Sequence, residues 1–348
     1  MPEPLLEVRD LTKHFPLFQP WLAGLARRQV GTVVAVEGVS FDIAKGETLG
    51  LVGESGCGKT TTARLVLRAL TPTRGQIQFR VGGGQAVRVD LLRGRALRAL
   101  RPHIQMIFQD PFSSLNPRMP VGEIIGEPLH IHGRGSREEI QERVKVLMGM
   151  VGLNVQYLRR YPHSFSGGQR QRIGIARALA LNPELVVCDE PVSALDVSVQ
   201  AQVLNLLKDL QTELGLTYLF ISHNLAVIDY VADRIAVMYA GRIVEMASKR
   251  QLFERPLHPY TETLLAAVLR PDPRLRGATL AAVRDANVPL TGGIRGCAYA
   301  LRCPYAIERC REETPEIRAV APDHLARCHR AEELHLTPLP RRPAARTA

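Results

Sequence analysis

The feature that most constrains this chain is a glycine-rich loop of the pattern G-x-x-x-x-G-K-[ST]. An apolar segment, 48–52, precedes the loop and a helical pattern begins at Thr61, which is the strand, loop and helix context that the pattern requires. Glycines let consecutive backbone N–H groups surround phosphate oxygens, and the helix directs its positive end at the same anion. We therefore predict a nucleotide site in which Lys59 reaches the β and γ phosphates and Thr60 binds Mg²⁺. Its predicted binding residues are Gly53, Glu54, Ser55, Gly56, Cys57, Gly58, Lys59, Thr60 and Thr61.

Composition indicates a folded chain of two or three domains with an anionic partner. Of its 348 residues, 45% are apolar and 23% are charged, which is ordinary globular usage. The net charge of +11 suits a nucleotide, a nucleic acid or a membrane face and does not choose among them. We find no run of about 18 uncharged apolar residues and no signal sequence. The sequence therefore predicts a soluble, cytoplasmic chain that would reach a membrane through a partner.

Two predicted strands end in side chains suited to phosphate chemistry. The apolar strand 185–188 ends in Asp189 and Glu190, and the strand 217–222 ends at His223. Beside a nucleotide, Asp189 is placed to hold Mg²⁺ through water, and Glu190 to polarise the attacking water. His223 would be able to contact the γ phosphate. We predict catalytic roles for Glu190 and His223.

A second helix with a glycine-rich start follows Phe165. Paired glycines and a serine hydroxyl before a helix present donors to an anion. The chain carries one lysine-bearing phosphate loop, so this second helix N-terminus would bind the γ phosphate of a nucleotide held by another subunit. The sequence therefore implies dimerisation on ATP. The residues concerned are Ser166, Gly167, Gly168 and Gln169.

The remaining pattern places sheets and helices around these motifs. Alternating strands and helices favour a mainly parallel sheet covered on both faces. Leu5–Phe15 is a predicted edge strand, and Phe15 is a candidate to stack on a nucleotide base. The uncharged segment from Pro16 to Ala26 is predicted to interrupt the sheet as a surface insertion. Residues 77–90 predict a hairpin, and a capping box at Ser136 predicts a helix.

Taken in order, the motifs resemble the ATPase subunits of ATP-binding cassette (ABC) transporters from about residue 5 to 249. The resemblance implies an α/β ABC ATPase fold, with a RecA-like parallel sheet core, an antiparallel β subdomain and an inserted α-helical subdomain at about 111–180. It also implies that Gln109 contacts Mg²⁺ and water and senses the permease, that Glu190 is the general base, and that 166–169 clamps the ATP of a partner. The motifs that carry it are the phosphate loop, Gln109, Ser166–Gln169, Asp189-Glu190, Ser193-Ala194-Leu195-Asp196 and His223.

Segments 108–118, 161–163 and 258–261 resemble the dipeptide and oligopeptide importers more closely, and Asn116-Pro117-Arg118 resembles their second type of ATPase subunit. This resemblance implies a heterodimer with a homologous ATPase under two permeases, at the cytoplasmic face of the inner membrane. An extracytoplasmic binding protein would act indirectly, no nucleic acid would take part, and the cargo would be a peptide or a related small solute. One alternative is a soluble ABC ATPase acting on nucleic acid or ribosomes, which the positive charge would suit. The other is a regulatory module whose cysteines sense redox state.

Four cysteines lie close together near the C-terminus, and in a cytosolic chain such a group favours metal over disulfides. Their surroundings resemble the C-terminal extension of peptide-importer ATPases, which implies a [4Fe-4S] cluster, with zinc as the alternative because spacing alone does not separate the two. We predict an ATPase domain at 1–255, a small cysteine-rich domain at 256–335 and a disordered tail at 336–348. The predicted ligands are Cys297, Cys303, Cys310 and Cys328.

Overall fold

The fold is given by a computed structural model that describes residues 3–21, 26–267 and 295–339. Side chains at 19–21 and 26–29 are outside this description. The strands are β1 Leu6–Trp21, β2 Ala26–Ile43, β3 Thr48–Val52, β4 Arg74–Arg80, β5 Ala86–Arg88, β6 Ile104–Ile107, β7 Leu185–Asp189, β8 Thr217–Ser222, β9 Arg234–Tyr239, β10 Arg242–Ser248, β11 Arg318–Ala321 and β12 His324–Ala326.

Ten α-helices and five short 3-10 turns connect these strands within the described ranges. The helices are α1 Lys59–Val66, α2 Gly94–Leu100, α3 Val121–His132, α4 Arg137–Met150, α5 Gly167–Leu179, α6 Val197–Leu214, α7 Leu225–Val231, α8 Lys249–Glu254, α9 Pro259–Ala266 and α10 Glu308–Glu312. The 3-10 turns are Val81–Gly83, Val89–Leu91, Arg101–His103, Val155–Arg159 and Pro162–Ser164.

The core is an eight-stranded sheet in the order β11-β12-β10-β9-β3-β8-β7-β6. Strands β6, β7, β8, β3 and β9 run parallel, and every residue of β3, β7 and β8 is buried because helices cover both faces. Strands β3, β8 and β7 are neighbours, so the segments that follow them meet at one edge. Those segments are the phosphate loop, His223 and the acidic pair, and ligands of parallel sheets bind at such carboxyl ends.

A second, antiparallel sheet has the order β2-β1-β4-β5. The predicted interruption at 16–26 is wrong, because β1 continues to Trp21 and pairs with β2 down to Ala26. Proline lacks the backbone N–H that pairing with a strand on its second edge would require. Among the described strands, β4 pairs with β1 only as far as Thr12, so no hydrogen bond to β4 is lost at Pro16. The predicted hairpin at 77–90 is formed by β4 and β5.

The predicted helical region contains α3, α4 and α5, which share one buried cluster with the core. The capping box at Ser136 is confirmed, because its hydroxyl accepts from the Glu139 N–H and the Glu139 carboxylate accepts from the Ser136 N–H. Helix α3 escaped sequence reasoning because Pro128 lies inside it, and an internal proline normally ends a helix.

The C-terminal region, described at residues 256–267 and 295–339, is continuous with the core sheet. The hairpin β11–β12 pairs with β10 through Glu245 and Ala326, and through Met246 and Leu325. A separate cysteine-rich domain is therefore not confirmed. The predicted disordered tail is wrong for its first residues, because Leu336 is buried and the Leu339 N–H bonds the Phe253 carbonyl at 3.0 Å. Residues 340–348 lie outside the described ranges.

One buried carboxylate fastens this region to β10. Glu245 is fully buried and accepts from the backbone N–H groups of Leu257 at 2.8 Å and His258 at 2.9 Å. It also accepts from Nε2 of His324 at 2.7 Å. A buried charge is tolerated only when hydrogen bonds replace its lost water, and these three donors do so.

Candidate active site

The phosphate loop closes between β3 and α1 in the predicted form. Gly58 has φ of +109°, and a Cβ there would come within 2.3 Å of the Ala35 carbonyl oxygen, so the position requires glycine. Lys59 opens α1 and is buried. Its Nζ donates to the carbonyls of Gly53 at 2.8 Å and Glu54 at 2.9 Å, which places the ammonium inside the loop where phosphates would lie.

The predicted Mg²⁺ residues Thr60 and Asp189 meet across 129 positions of sequence. The Thr60 hydroxyl donates to Oδ1 of Asp189 at 3.0 Å. Burial raises the pKa of Asp189, and the bond from Thr60 opposes that rise. A buried carboxylate beside a hydroxyl oxygen fits a hard divalent cation, which prefers oxygen ligands and would offset the loss of water around the charge.

Two predicted site residues, Gln109 and His223, both contact one carboxylate oxygen of Glu190. Oε2 of Glu190 lies 2.9 Å from Nδ1 of His223 and accepts from Nε2 of Gln109 at 3.2 Å. Glu190 has φ of +47°, a left-handed conformation that a non-glycine residue seldom adopts and that occurs at functional sites. All three side chains line a cleft of about 630 Å³ together with the phosphate loop.

Other predicted residues lie away from that cleft. Ser166 and Asp196 are exposed, and a Cβ added at Gly167 would lie 3.5 Å from the Leu195 side chain, so the two motifs are adjacent and form one surface. In the described part of the chain this surface does not line the cleft, and its action on a partner's nucleotide stays a prediction. Phe15 does not line the cleft either. Val33, which pairs with Phe15 between β1 and β2, does line it. The ring centre of Phe15 instead lies 4.9 Å from Lys13 Nζ.

Sequence reasoning missed three residues that the C-terminal region brings to the loop. The Glu54 N–H donates to the Tyr260 hydroxyl at 2.9 Å, and Arg302 pairs with the Glu54 carboxylate. Leu264 lines the cleft. The segment 258–261 resembles the peptide importers, but nothing local in it indicates a contact across 206 positions.

The four C-terminal cysteines line one small cavity, together with Tyr299 and His329 among others. Burial raises the pKa of the Cys297 thiol, that of Cys303 to about 11 and that of Cys328 to about 12. The soft thiol donors suit iron-sulfur or zinc chemistry. Within the described ranges, however, no group of three or more His, Cys, Asp or Glu side chains is arranged to hold a metal ion. The predicted cluster therefore lacks support from the arrangement of these side chains.

Solved structures resemble this fold and place the site in a class. A structure described as the post-hydrolysis state of the ATP-binding cassette MJ0796, bound to ADP and Pi, matches with a TM-score of 0.60 and 27% identity over 70% of this chain and 99% of that one. The cbiO1 protein of Clostridium perfringens, part of an ABC transporter complex, matches with a TM-score of 0.59 and 25% identity over 72% and 90% of the two chains. The fold is that of an ATP-binding cassette.

Sequence relatives narrow the class. Residues 36–193 match the ABC transporter family, and residues 244–310 match the family described as oligopeptide/dipeptide transporter, C-terminal region. The oligopeptide transport ATP-binding protein AppF of Bacillus subtilis is 49% identical over 94% of this chain and 97% of its own length. A putative peptide import ATP-binding protein of Brucella ovis is 50% identical over 94% and 98%.

This chain belongs to the family of ATP-binding subunits of ABC-type peptide importers. The predicted fold and the predicted ATPase class are confirmed, and the alternative of a soluble ATPase acting on nucleic acid or ribosomes is not supported. No helix in the ranges that the structure describes is long and apolar enough to cross a membrane.

Proposed function

We propose that this chain hydrolyses ATP with Glu190 as general base. The observation that carries the proposal is the shared contact of Gln109 and His223 with one Glu190 oxygen at the wall of the cleft. The phosphate loop and Lys59 hold the triphosphate, and Thr60 and Asp189 would hold Mg²⁺, whose charge would offset that of the phosphates. Glu190 takes a proton from the attacking water, Gln109 orients that water, and His223 donates to the γ phosphate.

The Glu190→Gln variant tests this role. We expect ATP turnover to fall by about 10² to 10⁴-fold, because a general base contributes that much. Binding of ADP should be retained, because the loop is untouched. Glu313→Gln, at an exposed ion pair with Arg309, is the matched control and should turn over normally. Turnover of Glu190→Gln at the normal rate would disprove the assignment.

We propose further that two such cassettes close on ATP, with Ser166–Gln169 and Asp196 of one subunit on the nucleotide of the other. Supporting this, Ser166 and Asp196 are exposed, Gly167 and Gln169 are half-buried, and none of these residues lines the chain's own cleft. Closure would be passed to two permeases at the cytoplasmic face of the membrane, and a second homologous ATPase would complete the pair. With ATP, Glu190→Gln should run as a dimer on size exclusion, and a monomer at every ATP concentration would contradict closure.

The cargo we propose is a dipeptide or oligopeptide delivered by an extracytoplasmic binding protein. The names of the relatives and the matched C-terminal family support this class of solute. Uptake of a labelled dipeptide and of a labelled pentapeptide should stop in cells that carry Lys59→Ala in place of the natural chain. Unchanged uptake of both would exclude peptides as the cargo.

We also propose that 256–335 is an extension of the 1–255 ATPase domain and that its four cysteines hold a [4Fe-4S] cluster. The support is chemical: four soft thiol donors border one cavity, which suits an iron-sulfur cluster, and zinc remains the alternative metal. Iron, sulfide and zinc analysis of anaerobically purified protein, together with its visible absorption, distinguishes the two. Stoichiometric zinc without iron would exclude the cluster.

A further inference from the structure

The C-terminal region contacts the phosphate loop, residues 53–60, through the second residue of the loop, Glu54. Arg302 donates to both oxygens of the Glu54 carboxylate, through Nη1 at 2.8 Å and Nη2 at 3.0 Å. The arginine side chain is only 11% exposed, whereas the glutamate side chain is 42% exposed. A bidentate pair of this kind fixes orientation as well as distance, because two parallel bonds resist rotation.

Every polar group of Glu54 is engaged in this way. Its N–H donates to the Tyr260 hydroxyl at 2.9 Å, and its carbonyl accepts from Lys59 Nζ at 2.9 Å. The same carbonyl also accepts from the Cys57 N–H at 3.3 Å, so two of the four partners of Glu54, Tyr260 and Arg302, come from the C-terminal region. Between them they fix both the peptide plane and the side chain of one loop residue.

The arginine is itself held in place. Its guanidinium lies 5.9 Å from the ring centre of Tyr239 and 5.8 Å from that of Tyr299. The Tyr299 hydroxyl is 2.9 Å from that of Thr263, in α9. The N–H of Arg302 donates to the Tyr299 carbonyl at 3.0 Å. Arg302 is therefore anchored on both sides and acts as a rigid brace.

The loop needs such a brace because glycine leaves its conformation open. Gly53, Gly56 and Gly58 have φ of +155°, +80° and +109°, and residues of this type lose much conformational freedom when ordered. A loop that is already ordered binds its ligand more tightly, since less entropy is lost on binding. We propose that Arg302 is a positioning residue for the phosphate loop, through which the C-terminal region sets the affinity for nucleotide. The inference rests on the proposed role of this loop as the ATP site.

The test is the affinity of Arg302→Met for ADP with Mg²⁺, measured by calorimetry on the full chain. We expect affinity to fall by about threefold to fivefold, as loss of a partly exposed bidentate pair implies. The KM for ATP should rise in parallel, and kcat should stay within about twofold, because the hydrolytic groups are untouched. Arg302→Lys should recover part of the affinity. Arg309→Met, at an exposed pair in the same region, should bind normally.

A double-mutant cycle separates positioning from general destabilisation. Glu54→Gln should lose the same affinity as Arg302→Met, and the double variant should lose no more. Hydrogen exchange at residues 53–58 of the nucleotide-free chain should be faster in Arg302→Met. Unchanged affinity, or losses that add in the double variant, would overturn the proposal. If Lys59→Ala also binds ADP normally, the loop assignment fails instead.

Discussion

Replacing Glu245 by glutamine should loosen the C-terminal region from β10. The change keeps the shape but leaves an amide NH₂ facing one backbone N–H, so that the bond to Leu257 or to His258 is lost. An unsatisfied buried donor costs about 1–3 kcal/mol, and the remaining bonds lose the charge that strengthens them, at about 1 kcal/mol each. Relief of the buried charge offsets part of this sum. We expect a net loss of about 3 kcal/mol in the free energy of unfolding.

Urea unfolding followed by circular dichroism measures the loss. Glu332→Gln is the matched control, because Glu332 makes its ion pair with Arg318 at the surface and should cost less than about 0.5 kcal/mol. Limited proteolysis should cut Glu245→Gln first within 256–339, while the ATPase core persists. A loss below about 1 kcal/mol would refute the reasoning, because it would mean that the three donors find other partners at little cost.

Three other substitutions test separate parts of the structure. Burial lowers the pKa of His258 to about 3, so the folded protein keeps this imidazole neutral. The unfolded chain binds a proton there below its pKa of about 6.5, so the stability of the fold is unaffected by the titration of His258 above that pH and declines below it. Urea titrations at each pH should show that, from pH 7 to pH 5.5, the free energy of unfolding falls by about 1 kcal/mol more in the wild type than in His258→Asn. Parallel pH profiles of the two proteins would contradict this. Gly168→Ala places a Cβ 2.4 Å from Val199, so it should lower the free energy of unfolding by about 1–3 kcal/mol and slow ATP turnover. The control Gly174→Ala, in open space on the same helix, should be neutral or stabilising. Equal effects of the two substitutions would exclude the clash. In Asp189→Asn the ADP affinity should no longer rise with Mg²⁺, and an undiminished Mg²⁺ effect would place the metal elsewhere.

The sequence was most informative where chemistry and chain order coincide. The phosphate loop, the acidic pair and His223 each follow an apolar strand, and neighbouring parallel strands deliver their ends to one edge. Their convergence on the cleft therefore follows from local pattern and a general rule of sheets. The contact of Gln109 with Glu190 is found at the same edge, because β6 and β7 are adjacent.

What could not be predicted depends on packing between distant segments. Arg302 and Glu54 are 248 positions apart, and an arginine beside a cysteine has no local signal for a loop contact. The continuation of β1 through Pro16 depends on which of its edges is paired, which local pattern does not reveal. Phe15 was assigned to the base from residue type alone, and the structure places its neighbour Val33 at the cleft.

The pairing of β12 with β10 bears on how this chain can be divided. Ile243, Val244 and Met246 are buried in β10, and removal of residues after 255 would leave that strand as an apolar, unpaired edge. Such an edge recruits strands from other molecules, so a truncated ATPase would self-associate rather than report the activity of a free core. An exchange of C-terminal regions between two related ATPases should therefore carry β10 with its hairpin and cross over before Arg242.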